Sequence, residues 1–394
     1  MSNREVVVVS GTRTAIGDYG GALKDLAATR LGAVAIKEAV ARAKVDPASV
    51  GHVVMGSVIH GEARDMYLAR VAALEAGLPV GTPCLTVNRL CGSGLQAIVS
   101  AAQQLLLGDC DVAVAGGAES MSRAAYFLPS GRWGQRMGDA AVVDAMTGAL
   151  HDPFGHGHMG VTAENIAAKY GFTREQQDQF SIESHRKAAN AIEKGYFKDQ
   201  VVPTEIRSKK GVEHLTIDEH VRKDASMADL AKLKTVFKKD GTVTAGNASG
   251  INDAGAAVVL AEAGTAKRMN LKILARLVAY AHAGVEPQLM GLGPIPAVKR
   301  AFEKAGLKPS DMDVIESNEA FAVQAMAVTK DLGLDPARVN PNGGAVALGH
   351  PIGATGAILT VKALYELERT KKRYALVTMC IGCGQGIAAI FERI

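Results

Sequence analysis

The sequence predicts an α/β fold in which helices cover a sheet with parallel strands, and in which one topology occurs twice. Residues 5–10 and 52–58 have the apolar character of buried strands, and residues 31–43 between them have the periodicity of an amphipathic helix. This order of strand, helix and strand favours a parallel sheet covered by helices. Residues 295–305 and 313–316 give a helix and then a strand again, in the same order.

A constant offset of 262 residues relates the two regions. At this offset several residues are identical, and several positions between them are apolar in both regions. Gly94 and Gly356 are also equivalent at this offset, and Gly356 lies at the start of a further predicted helix at 355–367. A repeat of this length indicates duplication, so the sequence predicts two halves of one topology. The identical pairs are Ala35 and Ala297, Lys37 and Lys299, Ala39 and Ala301, Ala43 and Ala305, and Pro47 and Pro309.

Length and composition indicate a globular chain with a large core. The chain has 394 residues, enough for two or three domains, and hydrophobic residues make up 48% against 21% charged. The net charge of +4, without a concentrated basic tract, suits an anionic small molecule better than nucleic acid. Five cysteines do not form a disulfide framework, and no signal peptide or membrane-spanning run is expected. We therefore expect a cytoplasmic protein without a membrane partner.

A long segment at 121–243 separates the halves and is more polar and charged than they are. Segments this long within a compact fold are usually binding loops or covers over a site. Its polar helix at 174–194 is expected to be a solvated outer helix. The doublet Lys209-Lys210 and the pair Arg222-Lys223 are equally compatible with phosphate contacts and with solvent.

Cys91 lies between a predicted strand and the start of a predicted helix, in the stretch Val-Asn-Arg-Leu-Cys-Gly-Ser-Gly-Leu-Gln at 87–96. The helix after it is predicted at 95–107, with an apolar face that includes Leu95 and Leu106. Because a helix N-terminus favours negative charge, we expect the Cys91 thiolate to form more readily than that of an ordinary cysteine. A buried structural cysteine is the alternative.

Three further stretches carry groups that can act on a thiol. They are Ser-Asn-Glu-Ala-Phe at 317–321, the glycine-rich run at 342–356 that contains His350, and Met-Cys-Ile-Gly-Cys-Gly-Gln-Gly at 379–386. Loops that follow parallel strands converge on one crevice, so a nucleophile, an imidazole, an amide and a second thiol can meet there. An imidazole supplies a base for the thiol, and a second thiol can carry a proton.

Asn88-Arg-Leu-Cys-Gly-Ser-Gly, Asn318-Glu-Ala-Phe, Gly349-His-Pro-Ile-Gly and Cys380-Ile-Gly resemble the signature stretches of the thiolases, over essentially the whole chain. The resemblance implies the thiolase fold, in which two duplicated halves form a five-layered αβαβα structure with a loop domain over coenzyme A. The implied division is an N-terminal half at 1–120, completed by about 244–270, a loop domain at 121–243 and a C-terminal half at 271–394.

The same resemblance implies the reaction and its groups. Cys91 would accept an acyl group while His350 takes its proton, and Cys380 would move the α-proton of a second acetyl-CoA. His350 with a water on Asn318 would stabilise the enolate oxygen, and the N-H groups of Cys91 and Gly382 would hold the other thioester oxygen. The implied activity is the reversible condensation of two acetyl-CoA to acetoacetyl-CoA and thiolysis of short-chain 3-ketoacyl-CoA, with propionyl units also accepted. No metal is needed, because oxyanion donors do the electrophilic work, and no cofactor is implied, because coenzyme A is a substrate.

The resemblance also implies contacts with coenzyme A. Ser249 would bond the pantetheine arm, Arg222 would lie by the adenine or its phosphates, and Met159 and Met290 would wall the acyl pocket, although core filling is the ordinary role of a methionine. Members of the family are usually homodimers or homotetramers, and residues 124–128 with Trp133 would suit a loop that reaches a neighbour. The implied contact positions are Leu150, His158, Met159, Arg222, Ala245, Ser249, Met290, Ala320 and Phe321.

One position departs from the family pattern, since Cys383 stands where most relatives have glycine. A positive φ there would cost on the order of 1 kcal/mol. Cys380 and Cys383 form a C-x-x-C pair. Cys383 could be a tolerated small residue, or the pair could form a reversible disulfide. Zinc binding is not favoured, because no second cysteine pair accompanies this one. Other readings of the chain are a ketoacyl synthase, against which Cys380 argues, an inactive acyl-CoA-binding or lipid-binding relative, and a redox protein.

Overall fold

The structure, a computed structural model, describes residues 4–208 and 211–394. The doublet Lys209-Lys210 lies outside them. The strands are Val6–Thr14 (β1), Gly17–Asp18 (β2), His52–Gly56 (β3), Cys84–Val87 (β4), Val112–Ser120 (β5), Tyr126–Phe127 (β6), Val143–Asp144 (β7), His151–Asp152 (β8), Gly157–His158 (β9), Val201–Val202 (β10), Thr204–Ser208 (β11), Gly211–Leu215 (β12), Asn252–Glu262 (β13), Ala275–Gly284 (β14), Val314–Ser317 (β15), Tyr374–Ile381 (β16) and Gln385–Glu392 (β17).

The helices include each of those predicted from the sequence, with ends shifted by up to three residues. They are Ala28–Ala43 (α1), Leu68–Glu75 (α2), Ser93–Leu107 (α3), Ala145–Ala149 (α4), Met159–Tyr170 (α5), Arg174–Glu193 (α6), Met227–Leu230 (α7), Ala263–Arg268 (α8), Pro294–Ala305 (α9), Ala322–Asp331 (α10), Ala345–Leu348 (α11) and Ile352–Thr370 (α12).

Two similar sheets carry the duplicated halves. The first has the order β4-β3-β5-β13-β1 and the second the order β14-β17-β16-β15, and β3 pairs in parallel with β4 and β5 as β15 does with β16. A fifth position in the second sheet shrinks to one parallel bridge, between Ile315 and Val339. The sheets meet at β1 and β14, through the pairs Val7 with Arg276 and Val8 with Ala275.

Helices α3 and α12 form the layer between the sheets, where they cross at the two glycines that the repeat placed in equivalent positions. A Cβ on Gly356 would lie 2.2 Å from the Leu95 nitrogen, and one on Gly94 would lie 2.8 Å from the Ala357 nitrogen. Glycine at both positions is what lets the backbones approach so closely. With α1 and α2 outside the first sheet and α9 outside the second, the predicted five layers are present.

The buried face of α3 differs by one position from the prediction. Leu95 and Leu105 are buried, whereas Leu106 is 41% exposed. Residues Leu90–Leu107 have a mean hydropathy of 1.3, so by length and composition one helix could cross a membrane, contrary to the expectation from the sequence. In the fold, α3 instead packs against α12 and the first sheet.

Helix α6 is not the fully solvated helix that its polar sequence suggested. It carries one buried face, and its polar members are partnered: the Ser184 hydroxyl donates to Glu319 at 2.7 Å, and Asp178 accepts from Asn247 at 2.9 Å. A polar helix can be buried when its side chains find hydrogen-bond partners, which sequence periodicity does not reveal. The buried residues are Gln177, Asp178, Ser181, Ser184, His185, Ala188 and Ala191.

Candidate active site

A cavity of about 560 Å³ lies where β16, the loops before α3 and α12 and the segment between β5 and β13 meet. It brings together groups from distant parts of the chain, as the sequence predicted. Asn318 and Arg222 are the two predicted site residues that do not line it. Those that do are Cys91, Leu150, His158, Met159, Ala245, Ser249, Met290, Ala320, Phe321, His350, Cys380 and Gly382.

Cys91 stands in a tight turn two residues before the start of α3. The Asn88 side chain accepts the Leu90 N-H at 2.9 Å, and the Ser93 hydroxyl accepts the Arg89 N-H at 2.8 Å. Leu90 has a φ of 45°, in the left-handed region that costs a non-glycine residue energy. A strained turn held by short polar side chains thus presents the thiol to the cavity.

Burial decides the charge of Cys91 and overturns the expectation of an easily formed thiolate. It raises the pKa of the thiol to about 11, although the backbone N-H groups of Gly382 and of Cys91 itself lower that pKa. The charges of Cys383 and Glu119 raise it further. Loss of hydration outweighs the donors and the helix N-terminus, so the resting group is a thiol that needs a base.

His350 supplies a neutral imidazole. Its Nδ1 lies 2.7 Å from the Thr355 hydroxyl, which itself donates to the Pro351 carbonyl at 2.9 Å. The hydroxyl therefore accepts from Nδ1, which places the ring proton on Nδ1 and leaves Nε2 as the acceptor. Asn318 donates its amide to that Nε2 at 3.4 Å. Burial lowers the pKa of His350 to about 4, so the imidazole is uncharged at neutral pH and free to take a proton.

Asn318 is fully buried, and its Oδ1 has no hydrogen-bond partner among the described residues. An orphaned buried oxygen beside His350 suits the predicted role of holding a water for a developing oxyanion.

Cys380 occupies the penultimate position of β16 and is fully buried. Burial, and then the nearby Cys91, raise its pKa above the range of an ordinary thiol. Cys380 belongs to an apolar cluster with Met159, Met290 and Phe321, and Cys91 packs against a second apolar cluster, so both predicted catalytic thiols are neutral in an apolar setting.

The turn between β16 and β17 carries Gly382 and Cys383. A Cβ on Gly382 would lie 3.1 Å from Leu90 and 3.2 Å from Met159, so a side chain there would crowd the nucleophile's surroundings. Cys383 has a φ of 66°, the strained conformation considered for this departure from the family pattern. All five cysteines are free in the structure. Among the described residues, no group of three or more His, Cys, Asp and Glu could hold a metal ion.

Comparison with known families identifies both halves. The family model of the thiolase N-terminal domain matches residues 6–264, and that of the thiolase C-terminal domain matches residues 271–393. The chain belongs to the thiolase family.

Full-length relatives agree with this thiolase assignment. The chain is 66% identical to beta-ketothiolase BktB of Cupriavidus necator, with 99% of this chain and 100% of the relative covered, and 48% identical to acetyl-CoA acetyltransferase of Allochromatium vinosum over the same shares. The crystal structure of human mitochondrial 3-ketoacyl-CoA thiolase in complex with CoA has a TM-score of 0.96 at 44% identity, covering 99% of this chain and 98% of that one.

His158 and Phe237 form one wall of this thiolase's cavity. Their rings stack with centroids 4.6 Å apart, and His158 Nδ1 accepts the Gly160 N-H at 3.0 Å, which caps α5. Burial lowers the pKa of His158 to about 4, so this wall is uncharged. Elsewhere in the cavity lining, the Ser249 N-H donates to the Ala320 carbonyl at 3.0 Å.

Arg222 lies outside the cavity lining. Its guanidinium donates to Asp18 at 2.9 Å, and its side chain is 61% exposed. Asp18 itself lines the cavity, so the ion pair places Arg222 near the mouth and not against the acyl pocket. This ion pair joins residues 204 positions apart in the chain, and no local pattern in the sequence predicts it.

Several lining residues were missed by sequence reasoning. Phe237 is one of them, and only the fold brings it to Gly160, where a Cβ would lie 2.2 Å from the Phe237 ring. The others carry ordinary apolar or polar side chains with no motif. The missed residues include Asp18, Tyr19, Met121, His220, Phe237, Ala248, Ile251 and Ile352.

Proposed function

We propose that this thiolase catalyses the reversible condensation of two acetyl-CoA to acetoacetyl-CoA and CoA, and the thiolysis of short-chain 3-ketoacyl-CoA. The observation that carries the proposal is the opening of Cys91, His350 and Cys380 into one cavity, two as thiols and one as a neutral imidazole. No charged group must be neutralised before the reaction, and each group can give or take one proton.

In thiolysis, the Cys91 proton moves to His350 Nε2 as the sulfur attacks the 3-keto carbon. The bond between C2 and C3 then breaks, and Cys380 protonates the acetyl-CoA carbanion that leaves. The thiol of free CoA next attacks the acyl-Cys91 carbonyl and gives its proton to Cys380. The bond between this carbonyl carbon and the Cys91 sulfur then breaks, His350 returns its proton to that sulfur, and a shortened acyl-CoA is released. Exchange of one thioester for another keeps this second half nearly balanced in energy, and condensation is the reverse sequence.

Oxyanion stabilisation falls to groups that already surround the Cys91 sulfur. The N-H groups of Cys91 and Gly382 would hold the oxygen of the acyl group, and protonated His350 with a water on Asn318 would hold the enolate oxygen. Such preorganised donors each contribute about 3 kcal/mol in related acyl transfers.

Acetyl and propionyl units are the acyl groups that we propose for this pocket. Met159 and Met290 are buried against Cys380 and Phe321, and methionine side chains adapt their shape at modest cost. The relatives carry the names beta-ketothiolase, acetyl-CoA acetyltransferase and 3-ketoacyl-CoA thiolase.

Thiolysis of acetoacetyl-CoA, 3-ketovaleryl-CoA and 3-ketohexanoyl-CoA with free CoA tests the proposal. We expect activity on the first two, less on the third, and a loss of at least about 10³-fold in Cys91→Ser, because a serine hydroxyl beside a neutral imidazole is a poor nucleophile for this exchange. Inactivity on all three by folded protein that still binds CoA would indicate an acyl-CoA-binding relative instead.

Neither a metal nor a resident cofactor enters the proposed reaction. Thiolysis rates should therefore be equal before and after exhaustive dialysis against a chelator. A loss that added divalent metal restores would contradict the proposal. The reduced state of Cys91 and Cys380 that the reaction requires suits a reducing compartment, and we place the enzyme in the cytoplasm.

Association into homodimers or homotetramers is also proposed. Strand β4 ends its sheet with a free edge and an exposed Leu85, and the β6–β7 hairpin exposes Tyr126 and Phe127, with Trp133 89% exposed nearby. Apolar patches and unpaired strand edges of this kind are usually covered in assemblies. Light scattering coupled to size exclusion should report two or four chains; a monomer at micromolar concentration would refute the proposal.

A further inference from the structure

A buried carboxylate next to the active site has no part in the proposed reaction. Glu119, near the end of β5, is fully buried. Its Oε2 accepts the N-H groups of Val58 at 3.0 Å and Gly353 at 2.8 Å, and its Oε1 accepts that of Ile59 at 3.1 Å. One side chain thus ties the loop after β3 to the first turn of α12, which lies 234 residues further along the chain.

Both tied segments support catalytic groups. Gly353 is the second residue of α12, three residues after His350, and a carboxylate there also complements the positive end of this 19-residue helix. Ile59 and Ile352 belong to a small apolar cluster with Met121, and Cys91 packs against it. The amides that Glu119 holds are therefore neighbours of the side chains that seat the nucleophile.

The first turn of α12 packs closely against β5 around Glu119. A Cβ on Gly353 would lie 2.6 Å from Glu119 Oε2, and one on Gly117 would lie 2.0 Å from the Gly353 carbonyl. The first turn of α12 consequently rests directly on β5, and the carboxylate fills the contact. Two oxygens receive three donors, which a carboxylate can accept and a neutral amide of the same size cannot.

We propose that Glu119 is a positioning residue of the thiolase reaction, which fixes Cys91 and His350 relative to one another by clamping the loop after β3 onto the start of α12. This role rests on the proposed function and adds to it a group that touches neither substrate nor the reacting atoms.

The charge of Glu119 affects a measurable property, the pKa of Cys91. Burial raises the pKa of Glu119 to about 8, with the Asp65 carboxylate raising it and the three amides lowering it. Glu119 is therefore ionised in the alkaline range in which the Cys91 thiol titrates, and there its charge raises the pKa of Cys91. The charge of Cys383 also raises that pKa, and the Gly382 N-H lowers it. Cys380 and His350 share the cavity. Replacing Glu119 by glutamine removes the charge and leaves one of the three amides facing an NH₂ group.

The test compares Glu119→Gln with the wild-type enzyme in two assays. Above the Glu119 pKa of about 8, where the group is a carboxylate, we expect kcat/KM of thiolysis to fall about 10- to 100-fold through kcat with KM nearly unchanged, because the nucleophile and base are misplaced. In contrast, carboxamidomethylation of Cys91, followed by mass spectrometry of its peptide, should have its alkaline midpoint shifted to lower pH. Loosened packing alone would change the amplitude of alkylation but not its midpoint.

Glu262→Gln is the matched control, since Glu262 also accepts two backbone N-H groups, at 2.9 and 2.7 Å, but at the start of α8 away from the cavity. It should lose stability and keep both kcat and the alkylation midpoint. Wild-type kcat in folded Glu119→Gln, or reduced kcat with an unshifted midpoint, would overturn the positioning role. Because alkylation needs no substrate, a failure of the proposed reaction itself would appear as wild-type inactivity with the midpoint shift still present.

Discussion

At the residue scale, the site depends on how burial changes ordinary side chains. Cys91 has two N-H donors and a helix start beside it, yet its pKa rises to about 11, because lost hydration exceeds what those dipoles return. The same effect lowers the pKa of His350 to about 4. A neutral thiol and a neutral base can then exchange a proton as the substrate carbonyl is attacked, without a resting ion pair that would have to be separated.

Thr355 determines which ring nitrogen of His350 is free. We expect Thr355→Val, which keeps the shape and loses the acceptor, to reduce kcat/KM of thiolysis about 10- to 100-fold, because the imidazole then loses its preference for a proton on Nδ1. Steady-state kinetics would measure this. Thr360→Val is the control: its hydroxyl donates to Gly356 on the same helix at 2.8 Å, and its loss should leave kcat unchanged. Equal kinetics for both variants would contradict the tautomer assignment.

Cys383 stores strain in the turn after Cys380. Because its φ is 66°, Cys383→Gly should raise the free energy of unfolding by up to about 1 kcal/mol, the strain relieved being partly offset by the greater entropy of an unfolded glycine. Urea unfolding measures the change. Cys383→Ala keeps a Cβ and should gain nothing, so the same gain for both variants would count against backbone strain as the cause.

At the element scale, the crossing of α3 and α12 organises the molecule. Cys91, the proposed nucleophile, precedes one of these helices and His350 precedes the other, so the contact of the helices fixes the spacing of both halves of the site. The repeat in the sequence marked this crossing by placing Gly94 and Gly356 in equivalent positions.

Gly356→Ala tests the crossing. A Cβ 2.2 Å from the Leu95 nitrogen meets backbone and not a movable side chain, so we expect a loss of about 3 kcal/mol in the free energy of unfolding, at the upper end for overpacked cores. Thermal and urea unfolding would measure it. At Gly81, a Cβ has no neighbour within 4 Å, and Gly81→Ala should leave stability nearly unchanged. Similar losses for both would show that the helices separate easily.

At the scale of the whole molecule, two sets of buried groups oppose each other as pH changes. Burial lowers the pKa of His158, His185, His282 and His350 to about 4, whereas it raises the pKa of Glu119 to about 8 and of Glu316 to about 7. On acidification, the histidines destabilise the fold because the unfolded chain binds more protons, and the carboxyl groups stabilise it. Between about pH 4.5 and 6.5, where both sets titrate, the carboxyl groups therefore offset part of the pH dependence that the histidines alone would produce.

His350→Gln exposes the contribution of one member. Since His350 has a pKa of about 4 when folded and about 6.5 when unfolded, its neutral form contributes stability fully above pH 6.5 and loses it as pH falls toward 4. The wild-type protein should therefore lose stability relative to the variant, by up to about 1.4 kcal/mol per pH unit in that window. Urea unfolding of both proteins at several pH values provides the comparison; a constant difference would refute it.

The sequence by itself determined the types of the main elements, the duplication and the residue types of the reaction. Apolar periodicity and glycine placement are local properties, and the motifs around Cys91, Asn318, His350 and Cys380 are contiguous in the chain. For this reason, the five helices that the sequence predicts begin and end within three residues of their positions in the structure, and the repeat alone relates the two halves.

Only the tertiary structure decided how those residues are charged and paired. The thiolate expected at Cys91 is absent at rest, because residues from distant parts of the chain bury the thiol and remove the hydration that a thiolate needs. The polar helix α6 is half-buried because Ser184 reaches Glu319, and Arg222 stays at the cavity mouth because Asp18 holds it. Hydration and hydrogen-bond partners depend on residues brought together from across the chain, and no local pattern of the sequence records them.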